Sequence, residues 1–146
     1  MSMRNTIMLL AISLLVSNCK RQPKNTDEVV ETFFNYAKNG DYEKAESLLW
    51  QKLRNDPEGE IYHLKRLHDL LVQYGIPEKK NWKITFDTTG EIVKMKIYTI
   101  ELYKKFNQKK NRDEGDVIDF TFDYEQSHIG DSIMFFNLHP LWLENN

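Results

Sequence analysis

The sequence has a single cysteine, Cys19, so no disulfide within the chain can support the fold. Six glycines and four prolines are spread along the chain, and no stretch is rich enough in them to predict a flexible linker between domains. Basic and acidic residues nearly balance at a formal net charge of −2, so no field of one sign would recruit nucleic acid. These absences exclude a disulfide-stapled small domain and argue against a nucleic-acid partner.

The chain also lacks the motifs of common enzyme classes. It contains no nucleophile elbow, no phosphate loop and no dinucleotide fingerprint. His63 and His68 are five residues apart, which is about 140° around a helix axis, whereas two metal ligands on one helix need a spacing of three or four. His128 and His139 fall in a turn and before a proline. The sequence therefore predicts no metal site and no cofactor.

The one long apolar run, Ile7–Val16, lies close to the amino terminus, after Arg4. Its ten residues are about half of the ~20 needed to span a bilayer, and the pattern is that of an export signal. The tetrapeptide that ends at Cys19, Val-Ser-Asn-Cys, resembles the lipobox of bacterial lipoproteins. This resemblance implies cleavage after residue 18, attachment of palmitate-type acyl chains to Cys19, and a membrane anchor. An ordinary secretory signal and an uncleaved amphipathic anchor remain alternatives.

The resulting organisation is a signal peptide over residues 1–18, a lipidated cysteine and tether over 19–26, and one domain over 27–146. Cleavage removes one basic residue, Arg4, and no acidic one, so the net charge changes from −2 to −3. The six tether residues 20–25 can reach about 20 Å, and three of them are basic and suited to anionic lipid. Lys20 follows Cys19, and the sorting rule of enterobacterial lipoproteins then indicates the outer membrane of the cell envelope.

Three helices are predicted in the first half of the domain. Apolar residues at helical spacing follow a predicted N-cap at Thr26, and Asn39-Gly40 ends this helix. Asp41 is predicted to cap a second helix, and Asp56-Pro57 to start a third that ends before Gly75. The apolar faces predicted for these helices consist of Val30, Phe33, Phe34 and Ala37; Ala45, Leu48, Leu49 and Leu53; and Ile61, Leu64, Leu67, Leu71 and Tyr74.

The second half alternates with a period of two and predicts four antiparallel strands. A hairpin turn is expected at residues 88–91, and the phase of the apolar residues slips between Ile97 and Tyr98, which predicts a β-bulge. The predicted fold class is α+β, with three helices packed on a strongly curved, cone-like sheet. The aromatic side chains expected to fill its interior are Trp82, Phe86, Phe120 and Phe122, whereas Asp87 and Asp123 are predicted to face water.

The helix order and the run Phe33–Leu49, with Gly40-Asp41-Tyr42 at the turn between helices, resemble the nuclear transport factor two-like superfamily. The resemblance covers residues 27–139 and is also shared with small bacterial lipoproteins of unassigned role. It implies a cone that can enclose a pocket, and some members of the superfamily are isomerases or dehydratases. An enzyme of that type would need two converging titratable groups, for which this chain offers Tyr36, Asp87, Asp123 and His128.

A polar stretch between two predicted strands holds the candidate contact residues for a partner: Lys104, Lys105, Phe106, Lys109, Lys110 and Arg112. One interpretation is a solvated hairpin tip; the other is a contact with an anionic membrane, a glycan or a protein. The apolar residues Leu141, Trp142 and Leu143 are predicted to fold back over the domain or to form a further exposed patch.

Two functions therefore remain. The first is a lipid-anchored binding or assembly module of the envelope, whose partner is a neighbouring protein or a small hydrophobic ligand. The second is a small cone-fold enzyme of the isomerase or dehydratase type that acts on a hydrophobic ligand.

Overall fold

The structure, a computed structural model, describes residues 25–50, 57–89, 94–123 and 132–141. The predictions for Cys19, the signal segment, tether residues 20–24, Leu53, His128, Trp142, Leu143 and part of the turn at 88–91 lie outside these residues. The described elements in chain order are the helices α1 (Thr26–Lys38), α2 (Tyr42–Glu46) and α3 (Pro57–Tyr74), a 3-10 turn (Lys79–Asn81), and the strands β1 (Lys83–Asp87), β2 (Met95–Asn107), β3 (Arg112–Asp123) and β4 (Phe135–Pro140).

The four strands form one antiparallel sheet in the order β1-β2-β3-β4, so each strand pairs with its neighbour in the sequence. Helices that precede such a sheet define the α+β class, so the α+β part of the prediction is confirmed. Strand β4 pairs with the end of β3 that is far from the β2–β3 turn, from Asp116↔Pro140 to Thr121↔Phe135.

The N-cap of helix α1 lies one residue earlier than predicted. The side chain of Asn25 accepts a hydrogen bond of 2.9 Å from the backbone N–H of Glu28, so Asn25 is the N-cap. The hydroxyl of Thr26 lies instead within 2.6 Å of the Tyr98 hydroxyl, on β2. The predicted end at Asn39-Gly40 is confirmed, because Gly40 has a φ of 74°, a conformation that favours glycine.

Helix α2 is shorter than its apolar pattern predicts. Ala45 and Leu49 are buried as expected, but the helix ends at Glu46. Leu49 is extended and forms a parallel bridge with Ile133, where Trp50 N–H donates to the Ile133 carbonyl at 2.8 Å. Backbone pairing with the chain before β4 therefore replaces the second turn of the helix.

The core lies between the helices and one face of the sheet. Phe33 and Phe34 of α1 are fully buried, and both rings contact the edge of Phe120 at centroid distances of 5.2 and 5.4 Å. Offset and edge-on ring pairs of this kind add to the apolar burial. The remaining large and fully buried side chains are Leu49, Leu64, Leu67, Leu71, Tyr98, Ile100, Ile118, Phe122 and Ile133.

A β-bulge bends β2, as predicted, but four residues further along the strand. The register shifts between Glu101, which pairs with Val117, and Tyr103, which pairs with Asp116, so Leu102 is the extra residue. Leu102 and Tyr103 consequently both pack on the core. Two apolar residues in sequence can share one face only at such an irregularity.

Two predicted strand environments are wrong, and Tyr74, predicted on the apolar face of α3, is 48% exposed. Phe86 was expected in the interior but is 59% exposed, because β1 is an edge strand and all five of its residues are exposed. Asp123 was expected in water but is only 3% exposed. It does lie on the face opposite Phe122, yet that face is also covered, since Val117 on the same face is buried. Alternation fixes which face a residue occupies, not whether that face reaches water.

Candidate functional site

The end of the β2–β3 hairpin projects past the rest of the sheet. Strand β1 pairs with β2 only at residues 95–99, and β4 pairs with β3 only at residues 116–121. Within the described residues, the two strands between Lys104 and Gly115 therefore have no further strand at either side. We call residues 104–115 the hairpin head. The predicted hairpin tip is thus longer than a loop and is a paired two-stranded ribbon from Lys104↔Gly115 to Asn107↔Arg112.

The turn of the hairpin head is ordered by Asn107 and Asn111. The side-chain carbonyl of Asn107 accepts hydrogen bonds from the backbone N–H groups of Lys109 at 3.0 Å and Lys110 at 3.2 Å. Asn111 has a φ of 50°, in the left-handed region that asparagine tolerates better than most residues. These local bonds fix the turn without apolar side chains.

Three of the five cations of the head lie in ion pairs with its two carboxylates. Lys104 Nζ lies 2.9 Å from Asp113, Lys110 Nζ lies 2.8 Å from Glu114, and Arg112 lies 3.7 Å from the same Glu114 oxygen. A hydrogen bond from the Asn107 side chain lowers the pKa of Glu114 most, and a hydrogen bond from Lys110 lowers it further. These groups are exposed, so the pairs orient the side chains more than they stabilise the protein.

Lys105 and Lys109 have no anionic partner among the residues that the structure describes. Both line an open depression of about 540 Å³ together with Phe106, which is 54% exposed, and with Glu114, whose carboxylate is paired with Lys110. The head carries five cations and two carboxylates, a net charge of +3, so the other residues of the chain sum to −5. The arrangement can bind an anionic group beside an apolar one.

The base of the head is held by helix α3. Arg66 of α3 forms an ion pair and a hydrogen bond with Asp116, which is buried. Tyr74 stacks on Tyr103 with ring centroids 4.4 Å apart and planes within 9°. Burial, together with the charge of Asp116, raises the pKa of Tyr103. The head therefore projects from a fixed base.

A second polar cluster lies at the opposite end of β2, beside the first residues of α1. The hydroxyl of Tyr98 donates to Asp27, and Lys96 Nζ lies 3.2 Å from the same carboxylate. The Tyr98 bond and then Lys96 lower the pKa of Asp27, while burial and Asp27 raise the pKa of Tyr98. Lys96, which contacts the start of α1, and Asn107, which precedes the hairpin turn, are eleven positions apart on β2. This spacing corresponds to about 35 Å of strand at ~3.3 Å per residue.

The three candidate catalytic groups that the structure describes lie on three different elements, and β2 separates two of them. Asp87 lies on the exposed strand β1 and accepts hydrogen bonds from its neighbour Thr89. Asp123 is buried at the end of β3, and both Asp87 and Asp123 pair in register with Met95 between them. Tyr36 belongs to α1, and Nζ of Lys44, a residue of α2, lies 5.6 Å from the centre of the Tyr36 ring. His128 lies outside the described residues.

One polar pair was not predicted from the sequence. His139 Nε2 lies 2.9 Å from Asp119 Oδ2, on the sheet face that points away from the helices. His139 stands opposite Val117 in the β3–β4 ladder and diagonal to Asp119 on the same face, so the pair follows from a register that the sequence alone does not give. Within the described ranges, no group of three or more His, Cys, Asp or Glu side chains is placed to hold a metal ion.

Comparison of the chain with known protein families, with curated proteins and with solved structures found no match in any of the three. Among the residues described, no helix combines the length and the apolar character needed to cross a membrane.

Proposed function

We propose that this chain is a lipid-anchored protein of the bacterial envelope whose domain works as a binding or assembly module through the hairpin head. The observation that carries the binding role is the projecting head, in which Lys105, Lys109 and Phe106 are available on a ribbon without flanking strands in the described part of the chain. Such a role needs no reaction centre, because the surface itself provides charge and apolar contact.

The anchor is proposed on the position of Cys19 after the apolar run Ile7–Val16. One acyl chain binds a membrane only marginally, at ~0.8 kcal/mol per buried methylene, whereas the two or three chains of a lipoprotein hold it stably. Lys20 after the cysteine favours the outer membrane as the final location.

The cone-shaped arrangement of the superfamily named above is part of this proposal. It is supported by the order of helices before a bent antiparallel sheet and by the bulge at Leu102. The space between helices and sheet, where a cone-fold enzyme would hold a ligand, is occupied here by rings such as Phe33, Phe34 and Phe120. This packing favours binding at the surface over catalysis in the interior.

Acylation is tested in bacteria that express the full chain in the presence of a labelled fatty acid. We expect label in the wild-type protein and none in Cys19→Ser, because the hydroxyl cannot replace the thiol in acylation. Ser17→Ala is the matched control and should keep the label, since a small residue at that position satisfies the lipobox pattern. A wild-type protein without label would overturn the lipoprotein proposal.

The outer-membrane location is tested by Lys20→Asp in an enterobacterial host. The sorting rule predicts that this variant moves to the inner-membrane fraction, whereas Lys24→Asp, four residues further along the tether, should not. Equal distribution of wild type and Lys20→Asp would contradict the proposed location.

A further inference from the structure

We infer that the free edge of β2 in the hairpin head binds an extended, acidic segment of a partner protein as an additional strand. This inference rests on the proposed function and names the class of partner. The segment of β2 concerned is Lys104–Asn107, together with Lys109 at the turn.

The first argument is the backbone. The pairing of β1 with β2 stops at Lys83↔Thr99, so the edge of β2 from Lys104 to Asn107 has no neighbouring strand among the described residues. Alternate N–H and C=O groups of an edge strand point outward and can pair with another chain. A peptide strand can use these groups, whereas a lipid surface or a phosphate polymer gains nothing from their spacing.

The second argument is charge. The hairpin head has a net charge of +3, and its two cations without an anionic partner in the described structure, Lys105 and Lys109, line the same depression. Lysines on an edge strand also deter aggregation by self-pairing. Two heads placed edge to edge would bring together two segments of charge +3, so the charge disfavours a second copy and favours an acidic strand.

The third argument concerns the membrane. The turn residues 108–111 are all polar, so the apex has no apolar side chain to enter a bilayer. Along β2, about 35 Å of strand separates this turn from Lys96, which contacts the start of α1, at ~3.3 Å per residue, whereas the six residues of the tether reach about 20 Å. An upright domain therefore presents the head away from the anchoring membrane. Phe106 on the flank of the ribbon can then contact an apolar residue of the bound strand.

The test uses the full acylated chain in a neutral detergent and a phage-displayed library of random twelve-residue peptides. We expect the selected peptides to alternate acidic with apolar or β-branched residues and to lack proline. One selected peptide is then titrated by fluorescence anisotropy, beside a version with proline at two alternate positions. Prolines remove backbone donors without changing charge, so binding should weaken about tenfold or more.

The protein side is tested with a Lys105→Glu, Lys109→Glu double variant. We expect about tenfold or greater weakening of peptide binding, while Lys65→Glu on the exposed face of α3 should bind like the wild type. Circular dichroism checks that each variant is folded. A Lys105→Gln, Lys109→Gln variant, which adds no negative charge beside Glu114, should give a smaller loss in the same direction.

Four outcomes would overturn the inference. Equal binding of the proline peptide would show an electrostatic site that does not pair strands. If no peptide is selected and the protein binds phosphatidylglycerol vesicles in a way that the double variant does not, the head contacts a membrane. If the protein self-associates and the double variant does not, the head binds a second copy of the chain. A failure to select any peptide would also overturn it. Acylation of Cys19 is measured separately. A wild-type protein that binds the peptide but carries no fatty-acid label would refute the proposed lipid anchor and leave the proposed peptide binding intact.

Discussion

Gly115 is expected to be the most sensitive small residue of the hairpin, and Gly115→Ala tests how the head is joined to the sheet. Gly115 pairs with Lys104 directly after the bulge. A Cβ at this position would overlap the Tyr103 carbonyl oxygen and lie 3.2 Å from the Tyr103 carbonyl carbon and 3.4 Å from Lys104 Cα. These are backbone atoms, so they cannot rotate away as a flexible side chain would.

Relief of this overlap requires the two strands to separate locally. Overpacking of this kind costs about 1–3 kcal/mol, and a two-stranded ribbon has little stability of its own to absorb it. We therefore expect a decrease of about 1–3 kcal/mol in the free energy of unfolding. The strands of the head should open, while the sheet between Tyr98 and Phe120 should remain intact.

Urea unfolding measures the free energy, and amide hydrogen exchange locates the change. In Gly115→Ala, the amides of residues 104–107 and 112–114 should lose protection, whereas those of Ile100 and Ile118 should keep it. Gly40→Ala is the matched control. A Cβ added at Gly40 would meet no atom within 4 Å, but the φ of 74° is unfavourable for alanine. It should cost about 1–2 kcal/mol through backbone strain and leave the head unchanged. Unchanged protection of the head in Gly115→Ala would refute the proposed packing at the bulge.

The remaining predictions concern the core and the cluster at the start of α1. Phe33→Ala should lower the free energy of unfolding by about 3–5 kcal/mol, because the ring is fully buried against Phe120. Phe135→Ala, at a site that is 52% exposed, should cost far less, and equal losses in urea unfolding would contradict the assigned core. Tyr98→Phe should raise the pKa of Asp27, measured by NMR, because the hydroxyl that donates to the carboxylate is removed. The lowered folded-state pKa of Asp27 stabilises the protein above pH 3.8, the ordinary pKa, and this stabilisation is lost as pH falls from 3.8 through the folded-state pKa. Wild type should therefore lose more stability than Tyr98→Phe over this range, and parallel curves of unfolding free energy against pH would contradict the assignment.

Local patterns in the sequence predicted much of the secondary structure. The spacing of Phe33, Phe34 and Ala37 identified the buried face of α1, and Asn39-Gly40 identified its end, because both signals depend on neighbours within one or two turns. The alternation around Phe120 and Phe122 identified β3 and its inner face in the same way. The slip in phase along β2 indicated a bulge, although its position needed the partner strand.

The candidate site depended on information that no local pattern holds. The sequence identified the charged residues between β2 and β3, but it could not show that they form a ribbon beyond the ends of β1 and β4, because strand ends are set by pairing between distant segments. Which cations have an anionic partner was likewise decided in three dimensions: Lys105 stands opposite Glu114 in the ladder, yet Glu114 pairs with Lys110 of the turn, and Lys104 pairs with Asp113.

Phe86 and Asp123 show the same division between sequence and tertiary structure. The sequence by itself determined the α+β order, the helix faces and the face of the sheet that each strand residue occupies, since these follow from periods of 3.6 and 2. The tertiary structure alone decided that Phe86 lies on an exposed edge and that Asp123 is covered. Burial depends on which surfaces meet, and those contacts join residues that are far apart in the chain.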